Sequence, residues 1–435
     1  MRQTRPAFYV LLATQAVSLV GSRMTAIAVG IWVFTQTQTA TPLLMASFFA
    51  ELPGMLASSL VGVLVDRWNR RWIIALADAG QAVGTLVLLW SFYSGQFQVW
   101  HLYLVSLVQG LFSMLQRPAQ HAVVTMLVPE AQRERANAIR EMLFPLAGVI
   151  APVMAGLLYV WGGVTGVILV DLVTFLIAVL AISATHIPQP PISPEGQLGR
   201  GSILSEFTGA WRFLTNRRPL VYLLLYMMFI NFFLNGPLEL TIPYLLLISA
   251  DERLLGAVMG LMSLGAFSGA VLVSLSGRLR PRMTYLLGGM LLCGGMFLLY
   301  GIVRNPWILG ASLFVLVLPL PAGGALYVSL LQAKIPPDLQ GRIFALDQQL
   351  ALLGSTTSFV LTGYLADRVL EPAVGRQAWQ GVGWLVGNFP GAGMGLIQVV
   401  TGLLILAATL VIWFWPAVHR LEERLLDYIP DKTGD

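Results

Sequence analysis

Apolar residues run along this 435-residue chain in twelve long stretches divided by short polar breaks. The stretches cover approximately 8–34, 42–64, 72–93, 100–117, 136–160 and 163–187, then 220–247, 254–275, 284–303, 306–331, 342–366 and 395–415. Each is close to the ~20 residues an α-helix needs to cross a bilayer, so the pattern predicts twelve transmembrane helices with both termini on one side. The one substantial polar break falls midway, at Pro188–Pro219. It opens with Pro188, Pro190, Pro191 and Pro194, which favour extended chain. Ile203, Phe207, Ala210, Trp211 and Leu214 then follow helical spacing, predicting a helix at the membrane interface or packed on the bundle. The expected organisation is an all-α membrane protein: a six-helix bundle over 1–187, a linker with an interfacial helix over 188–219, and a second six-helix bundle with a tail over 220–435.

The two halves read as repeats. At an offset of 207, Pro129 meets Pro336, Arg135 meets Arg342, Ala138 meets Ala345 and Gly156 meets Gly363. Parallel six-helix repeats of this kind are a known way of building a transporter around a mid-membrane site.

Charge orients the chain. Of the 26 Lys and Arg residues, 21 fall on the side of the termini and 4 on the other, with Arg23 inside the first span. Positive residues stay inside, so both termini are expected in the cytoplasm and the protein in the inner or plasma membrane. Composition agrees, with 57% hydrophobic and 11% charged residues against roughly a quarter charged in soluble domains. The net charge of +5 is spread over short loops, which does not suit nucleic acid. A single cysteine, Cys293, and four scattered histidines supply neither a disulfide nor a metal-ligand set. There is no phosphate-binding loop, zinc motif or nucleophile elbow. The expectation is a monomer that is not an enzyme and carries no cofactor.

The stretch Gly62-Val63-Leu64-Val65-Asp66-Arg67-Trp68-Asn69-Arg70-Arg71 joins spans two and three. It resembles the signature loop of the major facilitator superfamily, Gly-x-Leu-Ala-Asp-Arg-x-Gly-Arg-Lys. Asn69 replaces a glycine, and asparagine tolerates the left-handed backbone expected there. The second half carries a degraded counterpart, Gly277-Arg278-Leu279-Arg280-Pro281-Arg282, between spans eight and nine. A further match, Gly363-Tyr364-Leu365-Ala366-Asp367-Arg368, falls on the outer face by span parity and reads as coincidence.

Other stretches carry the same resemblance. Gly148-Val149-Ile150-Ala151-Pro152-Val153-Met154-Ala155-Gly156 in span five is similar to the superfamily's exporter motif, with Gly148, Pro152 and Gly156 kept and two glycines replaced by Ala151 and Ala155. Gln109-Gly110 in span four fits the tail of a second exporter motif, whose arginine is here Ser106. The stretches Ser18–Ser22, Glu51–Pro53, Arg117–Gln120, Ala136–Ala138 and Leu169–Leu176 resemble the macrolide-efflux and siderophore-export branch. The resemblance implies a twelve-helix antiporter exporting small molecules as its halves rock about a central cavity.

Ionisable residues inside a span are costly unless paired or facing water, so each is a functional candidate. Glu51 and Glu239 are the better proton carriers, because a carboxyl group can take up and release a proton whereas Arg23 stays charged. A permanent Arg23–Glu51 salt bridge is the alternative for Glu51. For Glu239 it is a hydrogen bond where span seven breaks near Gly236, Pro237 and Pro243. Asp171 is a further coupling candidate, although it and Asp78 read more readily as structural. Asp66, Arg67, Arg70 and Arg71 are expected to latch the cytoplasmic gate, joined by Asp78, Glu141 and Asp347. Trp32, Gln109, Tyr226, Asn231, Phe232, Asn235 and Gln349 would suit an amphiphilic ligand in the cavity.

Three functions remain open on this reading. They are proton-coupled export of lipophilic or macrolide-like molecules, dedicated export of one siderophore, peptide or lipid, and a non-transporting receptor or scaffold. The glycine-rich stretch 375–395, with Trp379, Trp384 and Phe389, is either a lid or a long connection.

Overall fold

The computed structural model describes residues 4–128, 133–185, 213–249, 252–276 and 279–424. Among these every regular element is helical. Four helices open the chain: α1 (Thr4–Thr37), α2 (Thr41–Arg67), α3 (Arg70–Tyr93) and α4 (Val99–Leu127). The next, α5 (Arg133–Ala184), runs for 52 residues and makes two crossings. Its arms are joined without a loop at Gly163, whose φ of 61° is open to glycine at little cost.

After the midway break the seventh crossing is split into α6 (Arg218–Glu239) and α7 (Thr241–Ile248). Pro237 lacks an N–H, which removes one bond of the helical ladder, and its carbonyl accepts from the Leu240 N–H and from the buried amide of Gln398 at 2.8 Å. The eighth and ninth crossings are α8 (Glu252–Leu275) and α9 (Arg282–Ile302). The tenth is split by prolines into α10 (Pro306–Val317) and α11 (Leu320–Lys334). The eleventh, α12 (Pro337–Tyr364), continues through a π-helical turn, Leu365–Leu370. A short helix, α13 (Gln380–Val386), precedes α14 (Ala392–Phe414), the twelfth crossing.

Helices extend beyond the apolar stretches where their polar ends find partners. α4 reaches Leu127, not 117, because Gln116 and Gln120 are hydrogen-bonded inside the bundle. The interfacial helix expected around Ile203, Phe207, Ala210 and Trp211 lies outside the described residues. Leu214, at its end, is buried in the core of the second half.

Each half packs around its own long pairs, α1 on α5 and α2 on α4 in the first, α6 on α12 and α9 on α14 in the second. The halves meet at two seams, α2 against α12 and α5 against α8. Small residues allow the approach: a Cβ on Gly256 of α8 would stand 2.8 Å from the Pro152 carbonyl, and one on Gly363 of α12 3.3 Å from Thr41 Cα. Gly156 also lies at the α5/α8 seam, its Cα 3.9 Å from the same Gly256 position. Gly156 and Gly363, equivalent by the repeat offset, therefore sit at corresponding seams.

One expectation is corrected at the α2–α3 turn. Asn69 is not left-handed; its φ is −66°, and its side chain accepts from the Arg71 N–H at 3.0 Å as the N-cap of α3. Asparagine suits this position as a capping acceptor, which replaces the role assigned to conformational freedom. The side chains of Gly62, Asp66, Arg67 and Arg70 lie outside the described residues.

A Cβ on Gly110 of α4 would overlap the Ala50 carbonyl of α2. Gly110→Ala should therefore cost about 1–3 kcal/mol by overpacking, read as a lower unfolding temperature in detergent. Gly324→Ala in α11, where nothing lies within 4 Å, should show no such loss.

Candidate functional site

The α2/α12 seam brings two carboxylates into the interior, each bonded to the opposite half. On α2, Ser47 and Glu51 share a face, four residues apart. Ser47 Oγ donates to Glu239 Oε1 at 2.6 Å, linking the first half to the end of α6. Ser355 Oγ of α12 donates to Glu51 Oε2, linking back in the other direction. Both residues are partly accessible. Counted from the start of α2, Ser47 and Glu51 lie about 9 Å and 15 Å into the bundle. Glu239 stands at the α6/α7 break, where the interrupted ladder leaves polar backbone beside it.

The seam continues on either side of this pair. Thr356 Oγ1 lies 3.2 Å from Met55 Sδ, and a Cβ on Gly54 would stand 3.5 Å from Leu352 Cδ1. Towards the end of the molecule away from the α2–α3 turn, Asp367 Oδ1 accepts from the Ala40 N–H at 2.9 Å and Oδ2 from the Thr41 N–H at 2.6 Å. The Thr41 hydroxyl stands 2.5 Å from Asp367 Oδ2 and 3.1 Å from the Gly363 carbonyl. The match at Gly363–Arg368, expected to be a coincidence, thus bonds one half to the other.

Most other candidates are engaged within one half, Arg23 being the exception. Asp78 accepts from Gln15 Nε2 at 2.7 Å and from Gln116 Nε2 at 2.5 Å, with Gln81 and Gln120 extending the amide network among α1, α3 and α4. Asp171 is 1% exposed against α1. The Ser22 hydroxyl reaches it at 3.4 Å, while Thr25 and Thr85 lie alongside without good hydrogen-bond geometry. Arg71 donates to the Ser183 carbonyl of its own half, and Tyr327 Oη donates to Asp347 Oδ1 at 2.5 Å within the second. A Cβ on Gly148 would lie 2.7 Å from Arg23 Nη1 and 3.0 Å from Ser263 Oγ, placing Arg23 at the α5/α8 seam. The side chain of Glu141 lies outside the described residues.

The amide and aromatic candidates separate in the same way. Trp32 packs edge-on to Phe92 and Phe97, at 4.8 Å and 5.1 Å between ring centroids. Gln109 lies against Gly84 of α3, and the Tyr226 hydroxyl bonds Thr409 of α14 at 2.9 Å. Asn231 and Asn235 form a ladder on α6 leading to Glu239, with Asn235 Nδ2 donating to the Asn231 carbonyl at 2.8 Å. Phe232 sits where α6 passes Gly354, and Gln349 is half-buried on α12.

The stretch 371–391 packs within the second half, against the ends of α7, α9 and α14. Glu371 accepts from the Gly391 N–H at 3.1 Å and the Met394 N–H at 2.9 Å, capping the start of α14. Burial pushes this carboxyl above its ordinary range, against the opposite pull of these backbone donors. Arg304 donates to the Tyr244 hydroxyl and the Val386 carbonyl, and its guanidinium stacks 4.0 Å over Phe389. Trp379 Nε1 donates to the Gly387 carbonyl at 2.8 Å, in a cluster with Val386, Ala392 and Val399.

Sequence reasoning missed Ser47 and Ser355, because single serines in a membrane span usually bond their own helix. It also missed the glutamine network around Asp78, although Gln15, Gln81, Gln116 and Gln120 were legible as costly amides inside apolar spans.

A family model described as Major Facilitator Superfamily matches residues 11–355. The chain is 26% identical over 371 residues to macrolide efflux protein A of Streptococcus pyogenes, covering 83% of this chain and 90% of that protein. It is 27% identical over 399 residues to the enterobactin exporter EntS of Shigella flexneri, covering 88% and 90%. Among solved structures, it superposes on a bacterial homolog of the human lysosomal transporter Spinster in an inward-facing, unoccupied conformation. The TM-score is 0.74 at 16% identity, covering 98% and 99% of the two chains. A bacterial homologue of ferroportin in the inward-facing state gives 0.68 at 13% identity, covering 93% and 98%.

Gln116→Leu would leave Asp78 Oδ1 without its Gln116 donor, while the Gln81 amide would keep the Ala77 carbonyl of its own helix. It should cost about 1–3 kcal/mol, the range for stranding a buried polar group, seen as a lower unfolding temperature in detergent.

Proposed function

This chain belongs to the Major Facilitator Superfamily, and on that premise we propose that it exports amphiphilic small molecules by proton antiport, its two six-helix halves rocking about a central cavity. The observation that carries the reading is the pair Glu51 and Glu239, each hydrogen-bonded to a serine of the opposite half. A carboxylate only accepts hydrogen bonds, whereas the protonated acid also donates one. Proton uptake at either residue therefore changes the bonds that hold the seam, as well as the charge the cavity presents to a substrate. Proton and substrate compete for one space, which is what exchange requires.

The halves are assigned to 1–187 and 220–435, with 188–219 as the connection. The end bearing the α2–α3 turn is the cytoplasmic one, following the excess of Arg and Lys there, and the membrane is the cell's inner or plasma membrane. Asn231, Asn235, Phe232 and Gln349 supply the cavity wall nearest the carboxylates. They offer the mixture of amide and aromatic groups that an amphiphile needs. Asp66 and its neighbouring arginines latch the cytoplasmic gate. The likeness to the macrolide efflux protein supports a lipophilic substrate. The likeness to the enterobactin exporter, at similar coverage, favours a second reading in which the chain exports one native siderophore-like compound.

The test is uptake of a lipophilic dye or a macrolide into everted vesicles under an imposed pH gradient. The unaltered protein should accumulate substrate only with the gradient. Glu51→Gln or Glu239→Gln should fall to the level seen without the gradient while still binding substrate. Normal accumulation in both variants removes the carboxylates from the mechanism, and no movement across a broad panel removes polyspecific export.

A further inference from the structure

The Gly-x-Leu-x-Asp-Arg pattern occurs twice, at the end of α2 as Gly62–Arg67 and at the end of α12 as Gly363–Arg368. α2 and α12 pack along one another, and each is the partner across the seam. The two copies thus terminate two adjacent helices from opposite halves, at opposite ends of the molecule.

The copy on α12 has an occupant. Helix α2 starts on Ala40, which brings no side-chain cap, so its first N–H groups need an acceptor from elsewhere. Asp367 provides it from the other half, one oxygen on Ala40 and the other on Thr41. A carboxylate at a helix N-terminus gains from both the free donors and the helix dipole. The π-helical turn 365–370 swings Asp367 out of the α12 register, and Gly363, four residues earlier, lets the α2 backbone approach. Glu371 then anchors the turn by capping α14 of its own half.

The start of α12 is arranged like the start of α2. It begins after Pro336, which offers no side-chain cap. The described members of the opposite gate, Arg71, Asp78 and Asp347, each bond within their own half. Among the described residues of α2 and the residue before it, side-chain bonds to the other half run from Ala40 to Met55, starting at the end where Asp367 sits.

We propose that Asp367 is the outer latch of the transport cycle, a positioning residue whose carboxylate caps α2 only while the outer mouth is closed. Asp367 holds the start of α2 when the cavity faces inward, and it lets go when the outer mouth opens. The proposal rests on alternating access and on the orientation given above, but not on the substrate or the proton.

The experiment uses the full chain in right-side-out vesicles, with no substrate and no ion gradient, so its outcome is independent of the export assay. Leu44→Cys is the reporter; Leu44 is fully buried, with its Cβ 3.6 Å from the position a Cβ on Gly363 would take. Cys293, buried in the core of the second half, stays in place as the control for general loosening. A membrane-impermeant maleimide is added outside. Asp367→Ala should speed labelling at the reporter by about fivefold or more, the population shift expected for losing a helix cap, while Cys293 stays protected. Asp367→Asn, which keeps one acceptor without the charge, should give a smaller increase. Unchanged labelling in both variants overturns the proposal. So does equal acceleration at Cys293, which would make Asp367 a general stabiliser and not a latch.

Discussion

A polar group inside a bilayer has no water to turn to, so each must be satisfied by the chain itself. In this protein that constraint decides where the two halves touch. The seam between α2 and α12 is not an apolar contact with incidental hydrogen bonds. Ser47, Glu51, Glu239, Ser355 and Asp367 are all polar groups whose partners lie in the other half. Separating the halves at that end exposes each of them, which is tolerable only if water enters. The seam is therefore one that opens to an aqueous space or does not open at all.

Polar groups that serve only one half are handled differently. Asp78 is held by glutamine amides from two other helices of its own bundle, and Asp171 is sealed against α1 among hydroxyls. Tyr226 reaches the outlying helix α14. These groups make each half rigid and leave nothing free to respond to the other. The division between bonds within a half and bonds across the seam is what lets two stiff bodies move as units.

Much of this was legible from the residues. The apolar stretches, the midway break and the repeat offset specify twelve crossings in two bundles, because a bilayer enforces helix length directly. Glu51 and Glu239 stood out because an ionisable group at that depth is costly. What escaped was pairing between distant positions. Nothing in the residues around Ser355 marks it as the partner of Glu51, three hundred residues away. The Asp367 stretch was set aside on topology, since a motif known for one face was judged meaningless on the other. Asn69 was read by its backbone tolerance, when its side-chain oxygen was the property in use. The break in crossing seven was legible from Gly236, Pro237 and Pro243, whereas crossing ten was read as continuous although Pro319 and Pro321 stand where it splits.

The cap on α2 also bears on how the protein is made. Thr41 and the aspartate that completes its helix are separated by 326 residues. While the chain is being synthesised, the first half must enter the membrane with the start of its second helix unfinished, those N–H groups left to headgroups and water. Only when the eleventh crossing is in place can that end be closed. The first bundle is in this sense provisional until nearly the whole polypeptide exists, and a chain truncated before α12 would carry a permanently frayed helix at its outer rim.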